Sequence, residues 1–138
     1  MRRFLTLVLS VILLAPAWAQ DAGEHPWRES VTGQIEALRS ADAIAALSYA
    51  GAAFRTNYTD PERFMADVNR SGYGPIATSR SHSFGAFREL STGAVVQEVE
   101  LVGTDGKVWE AIYQMTEEPD QGWRVQGVVL RSTNGLGI

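Results

Sequence analysis

The chain has no cysteine among its 138 residues, which excludes disulfides, thiolate nucleophiles, thiolate metal sites and a lipid-modified cysteine. Histidine is almost as scarce, with only His25 and His82. A zinc site would need carboxylates such as Asp60 and Asp67 to converge on His82, and nothing in their spacing brings them there. Long apolar runs are missing too: Phe4 to Ala15 falls short of the ~20 residues that span a bilayer, and Pro16 interrupts its extension. Basic charge is in deficit, with 12 basic residues against 16 acidic ones. Phosphate backbones and anionic headgroups repel such a chain, so binding to nucleic acid or to a membrane surface is disfavoured. Ser79, Ser81 and Ser83 alternate along a strand pattern without the sharp Gly-x-Ser-x-Gly turn that exposes a nucleophile. Gly103 to Gly106 leads into a strand pattern, where a phosphate loop requires a helix start. No catalytic residue, cofactor or metal ligand is assigned.

What the chain does carry begins with a processing signal. Arg2-Arg3, the short apolar run and the Ala17-Trp18-Ala19 box form the pattern of a secretory signal peptide over residues 1–19, cut after Ala19. Losing Arg2 and Arg3 leaves 10 basic against 16 acidic residues, a net charge of −6. A periplasmic or secreted location is expected, with no stable membrane insertion once the signal is removed. Residues 20–26 read as a flexible N-terminus, 27–132 as a single α+β domain and 133–138 as a tail.

Two to three N-terminal helices are expected. Trp27, Val31, Ile35 and Leu38 form one apolar stripe, opposite a face of Arg28, Glu29, Gln34, Glu36 and Arg39. A second helix is predicted to start at Asp42, an N-cap, and to run through Ile44, Leu47, Gly51, Phe54 and Tyr58, with small residues in its middle that permit close packing. A third, with Thr59 and Glu62 as a capping box and Pro61 in its first turn, presents Phe64, Met65 and Val68 before Ser71-Gly72-Tyr73-Gly74-Pro75 stops it.

From Ile76 onward the pattern is strands. Ile76 to Leu90 contains Gly85 and reads as a long, bent or bulged strand. Val95 to Leu130 reads as a three-strand meander, punctuated by Gly103-Thr104-Asp105-Gly106 and Glu118-Pro119-Asp120-Gln121-Gly122. A two-residue Asp105-Gly106 turn would mix apolar and polar faces. A three-residue Thr104-Asp105-Gly106 loop instead aligns Leu101 with Trp109, Val99 with Ala111, Gln97 with Tyr113 and Val95 with Met115. The last strand then adds Trp123, Val125, Gly127 and Val129 to the same face. The opposite face holds Val96, Val102, Val108, Ile112, Val128 and Leu130 among polar residues, and is expected to be a homodimer interface.

The segments Val96-Gln97-Glu98-Val99, Asp105 to Tyr113 and Trp123 to Gly127 resemble domain of unknown function 4864, a family of small bacterial proteins. Helices followed by a curved antiparallel sheet of about four strands also resemble the cone-shaped, cystatin-like fold of nuclear transport factor 2. The resemblance implies an architecture and no activity, since the wider superfamily contains isomerases, cyclases, dehydratases and simple binding modules.

In a cone fold the space between helices and sheet can hold a ligand, and Gln97, Tyr113, Trp109 and Tyr58 are the candidates to line it. Gln97 and Tyr113 either meet a ligand there or satisfy each other by a hydrogen bond inside the core. Trp109 and Trp123 either stack a ligand ring or belong to the core. An isomerase would need a carboxylate base such as Asp67 beside Tyr58 or Tyr73, whereas Asp67 is more simply a solvated helix residue near Arg63 and Arg70. Three readings follow: a non-enzymatic module that binds a small hydrophobic ligand or an envelope protein, a cone-fold enzyme acting on a hydrophobic small molecule, and a structural dimerisation unit.

Overall fold

A computed structural model describes residues 25–133; the expected signal peptide, the first residues of the expected flexible terminus and the expected tail beyond Thr133 lie outside the described residues. The chain forms α1 (Trp27–Arg39), α2 (Ala43–Ser48), α3 (Ala52–Asn57), α4 (Pro61–Val68), a π-helical turn (Asn69–Tyr73) and α5 (Gly74–Ala77). Four strands follow: β1 (Ser79–Ser91), β2 (Ala94–Gly103), β3 (Val108–Glu118) and β4 (Gly122–Ser132), one antiparallel sheet in the order β1-β2-β3-β4. Helices pack on one face of it, the expected α+β architecture.

α1 buries the stripe its spacing predicts, Trp27, Val31, Ile35 and Leu38, against the inner sheet residues Val95, Val99, Leu101, Ala111, Tyr113, Met115 and Val125. The hairpin of β2 and β3 has the expected three-residue loop. Gly106 sits at φ 82°, a left-handed conformation that glycine adopts freely, and the pairs Leu101–Trp109, Val99–Ala111, Gln97–Tyr113 and Val95–Met115 all form.

Four local expectations are corrected. The helix starting at Asp42 breaks after Ser48, because the backbone at Tyr49–Gly51 leaves the helix to pair with the sheet edge: Val125 N donates to the Tyr49 carbonyl and Gly51 N to the Val125 carbonyl, both at 2.8 Å. A Cβ at Gly51 would have to displace the Gln126 carboxamide, the movable end of that side chain. With the helix broken, Ile44 lies 74% exposed and α2 buries Ala43, Ala46 and Leu47 instead. Asp60 caps α4, accepting from Glu62 N at 3.0 Å, in place of Thr59. The glycines after α4 kink the chain at Gly72, φ 95°, and helix resumes as α5 before β1 begins.

The fourth correction concerns β4. A β-bulge lets Gln126 go unpaired between the pairs Met115–Val125 and Gln114–Gly127. One extra residue reverses the alternation beyond it. Trp123 and Val125 face the helices as expected, but Val128 and Leu130 then also turn inward and pack on the core, while Val129 points outward, 60% exposed. Ser79 is likewise parted from Ser81 and Ser83 by an irregularity in β1 and is buried.

Candidate functional site

A cavity of about 170 Å³ lies between β4 and the helical layer. Leu38 and Gln34 of α1, Phe54 of α3, Phe64 and Val68 of α4, and Tyr73 and Ile76 beyond it form one side. Val125, Gly127 and Val128 of β4 form the other, with Ala50 between. Among these lining residues only Gln34 and Tyr73 bring side-chain polar atoms, and none carries a carboxylate, amine or imidazole.

Both polar groups are fixed by the protein. Gln34 is buried, a correction to its expected place on the polar side of α1, and its Nε2 donates to the Ala46 carbonyl at 3.1 Å. Its spacing of three from Val31 and four from Leu38 puts it on the apolar stripe, which is the signal that finds it. Tyr73 Oη donates to the Val128 carbonyl at 2.9 Å. Phe54 and Phe64 meet edge to face at 6.1 Å, and Tyr58 meets Phe64 edge to face at 5.3 Å.

α3, which carries Phe54, has no buried residue of its own and is held by polar contacts. Glu118, at the end of β3, accepts from Ala52 N at 2.9 Å, from Arg55 at 2.9 Å and from Gln126 Nε2 at 3.0 Å. Burial alone would raise the Glu118 carboxyl, but the Ala52 N–H, the Gln126 amide and the Arg55 guanidinium outweigh it and hold it below its usual value.

None of the four candidates Gln97, Tyr113, Trp109 and Tyr58 lines this cavity. Gln97 and Tyr113 face each other across the sheet, both 0% exposed, yet do not bond each other, contrary to the expected pairing. Gln97 is instead a staple. Its Oε1 accepts from Trp27 Nε1 at 2.8 Å and Arg28 Nε at 3.1 Å, while its Nε2 is shared among the carbonyls of Gly85 at 3.1 Å, Ala86 at 3.3 Å and Glu98 at 2.8 Å. Gly85 and Ala86 form the bulge of β1, so this side chain satisfies carbonyls that the bulge frees and ties them to the start of α1. The Tyr113 hydroxyl has no partner among the described residues, and burial raises its pKa.

Trp109 is half-buried at the sheet end, with Lys107 Nζ 4.7 Å from its ring centre. Trp123 meets Trp27 edge to face at 5.4 Å, in the core. Tyr58 Oη donates to Asp67 Oδ2 at 2.7 Å, a contact that raises the Tyr58 pKa, and neither residue lines the cavity. His82 lies between α1 and β1. Arg39 Nη2, which can only donate, reaches His82 Nδ1 at 3.1 Å, so Nε2 carries the hydrogen and faces Thr32 Oγ1 at 3.0 Å. Among the described residues no group of three histidine or acidic side chains converges. Of the expected interface, Val96, Val108 and Ile112 lie half-buried on the outer face, whereas Val128 and Leu130 do not lie there.

No curated protein matches this chain. The family model for the domain of unknown function DUF4864 matches residues 20–138, and the chain therefore belongs to that family.

Proposed function

We propose that this protein is a non-enzymatic, exported binding module that holds the apolar part of a small molecule in the cavity between β4 and the helices. The observation that carries the reading is a space of about 170 Å³ whose wall is built almost wholly from carbon. Engineered cavities of about 150 Å³ with such walls stay dry and take up benzene. The volume thus suits one aromatic ring or a branched aliphatic group, and the rest of a larger ligand would remain outside, since whole drug-sized molecules occupy ~300 Å³ or more. An isomerase or dehydratase would need a base at the ligand, and the cavity wall offers none; the Tyr58–Asp67 pair is not part of it. Export is supported by Arg2-Arg3, the apolar run and the Ala17-Trp18-Ala19 box, and by a family match that begins at residue 20.

Toluene is a suitable probe. At about ten times its Kd a ligand adds about 1.4 kcal/mol, which raises the Tm of a domain this size by about 6 °C. Val68→Phe places a ring in the cavity, so it should raise the Tm by itself and abolish the response to toluene. A Val68→Phe protein that still responds as the parent does would refute the reading.

A second reading, homodimerisation through the outer sheet face, is favoured by Val129, 60% exposed beside Ile112, Val96 and Val108.

A further inference from the structure

The unused hydrogen-bonding capacity of the cavity wall belongs to Gln34 and Tyr73, and most of it is acceptor capacity. Gln34 is 6% exposed, and its amide orientation is set by the Nε2 bond to the Ala46 carbonyl. That leaves Oε1, which accepts no hydrogen bond from any described residue, on the side chain that lines the space. Tyr73 has spent its hydroxyl hydrogen on the Val128 carbonyl and retains only a lone pair. The second hydrogen of Gln34 Nε2 is the one side-chain donor left over among these residues, and no charged side chain lines the wall to balance an ion.

From this arrangement we infer that the cavity selects an apolar group bearing one neutral hydrogen-bond donor, a hydroxyl or N–H, which donates to Gln34 Oε1. The inference rests on the binding reading above and names the chemistry of the ligand. A carboxylate head would lose its hydration with no cation in the wall to replace it and is rejected; a saturated hydrocarbon fits the walls but seals Oε1 from water without giving it a donor. Sites that offer a hydrogen-bonding group discriminate strongly against an analogue lacking the matching one.

Phenol and toluene differ by this group alone, at nearly equal size. Their affinities should be measured by calorimetry for the parent and for Gln34→Met, which keeps length and removes both polar atoms. The phenol-to-toluene affinity ratio is expected to fall about tenfold in Gln34→Met, the worth of one hydrogen bond to a buried acceptor. An unchanged ratio, with toluene bound by both proteins, overturns the donor inference and leaves the cavity reading standing. Absence of toluene and phenol binding in the parent overturns both. Should Gln34→Met fail to fold, the ¹³C shift of the Gln34 side-chain carbonyl in the parent reads the same contact: phenol is expected to move it and toluene not, and equal shifts with both overturn the inference.

Discussion

Gln97 and Tyr113 occupy opposed positions on adjacent strands and are buried to the same extent, yet their hydrogen-bonding states are opposite. Every polar atom of Gln97 is used, and its partners lie on α1, β1 and β2. Replacing it by leucine orphans the Trp27 indole N–H and the bulge carbonyls together. At ~1–3 kcal/mol for each buried group left without a partner, Gln97→Leu should cost about 3 kcal/mol in urea denaturation, with partial compensation where water reaches the bulge. Tyr113 is the reverse case. Its buried hydroxyl satisfies nothing, so Tyr113→Phe should be neutral or stabilising by about 1 kcal/mol. A loss comparable to that of Gln97→Leu would mean that the hydroxyl has a partner, such as an internal water, and that the contrast between the two residues is wrong. The sequence makes this pair visible as polar groups facing inward, but not their partners. Alternation along a strand sets which face a side chain takes, whereas the bulge that consumes the Gln97 amide depends on how β1 bends over a neighbour.

At the scale of elements, two polar clasps act beside the apolar core: one ties α1 to β1, and the other holds α3, which has no buried residue of its own. Around His82 the guanidinium of Arg39 faces Nδ1, Thr32 faces Nε2 and Glu36 acts from the next turn of α1. Burial first, and the Arg39 charge second, lower the His82 pKa below 6.5, against a smaller opposite pull from Glu36. The folded state therefore binds this proton less readily than the unfolded chain, and stability must rise with pH between the two values. The contribution is complete above pH 6.5 and is lost as pH falls through 6.5 toward the folded value. His82→Gln should accordingly flatten the decline in the urea midpoint between about pH 7 and 5; parallel profiles for parent and variant would show that the clasp does not sense the proton. The second clasp is Glu118, which holds α3 by its first N–H and by Arg55. Glu118→Gln keeps the size and removes the charge, so the α3 amides should exchange about tenfold faster while β2 and β3 amides are unaffected, a loss near 1.4 kcal/mol confined to one element. Uniform acceleration across the sheet would contradict a local latch. Neither clasp is legible from periodicity, and the break before α3 was hidden for the same reason: it is made by Val125, which lies far along the chain from Ala50.

For the whole molecule, the layers follow from pattern and the site does not. Apolar stripes and a glycine-punctuated meander are local signals, and they specify helices over one face of an antiparallel sheet. The cavity gathers residues from α1, α3, α4, α5 and β4, each of which reads as ordinary core in its own segment. The single bulged residue Gln126 then decides which side of β4 meets the helices, and alternation carries no mark of it. Its consequence reaches the outer face. Without Val128 and Leu130 the apolar patch shrinks to Val96, Val102, Val108, Ile112 and Val129, flanked by exposed Glu98 and Glu100 and by Glu110, whose carboxylate is held by Arg131 at 3.0 Å. Two copies meeting through this face bring their unpaired glutamates together, and the chain is acidic overall, so repulsion opposes what apolar burial favours. Salt screens the first term and leaves the second. Light scattering at tens of micromolar should therefore give a mass near one protomer in dilute buffer and a rise toward two as salt approaches ~0.5 M, where the screening length falls below 5 Å. Val129→Asp, at a position already 60% exposed, should hold the mass at one protomer throughout without changing the Tm by more than about 2 °C. A dimer that forms in dilute buffer and dissociates with salt would place the interface on another surface, one held by charge.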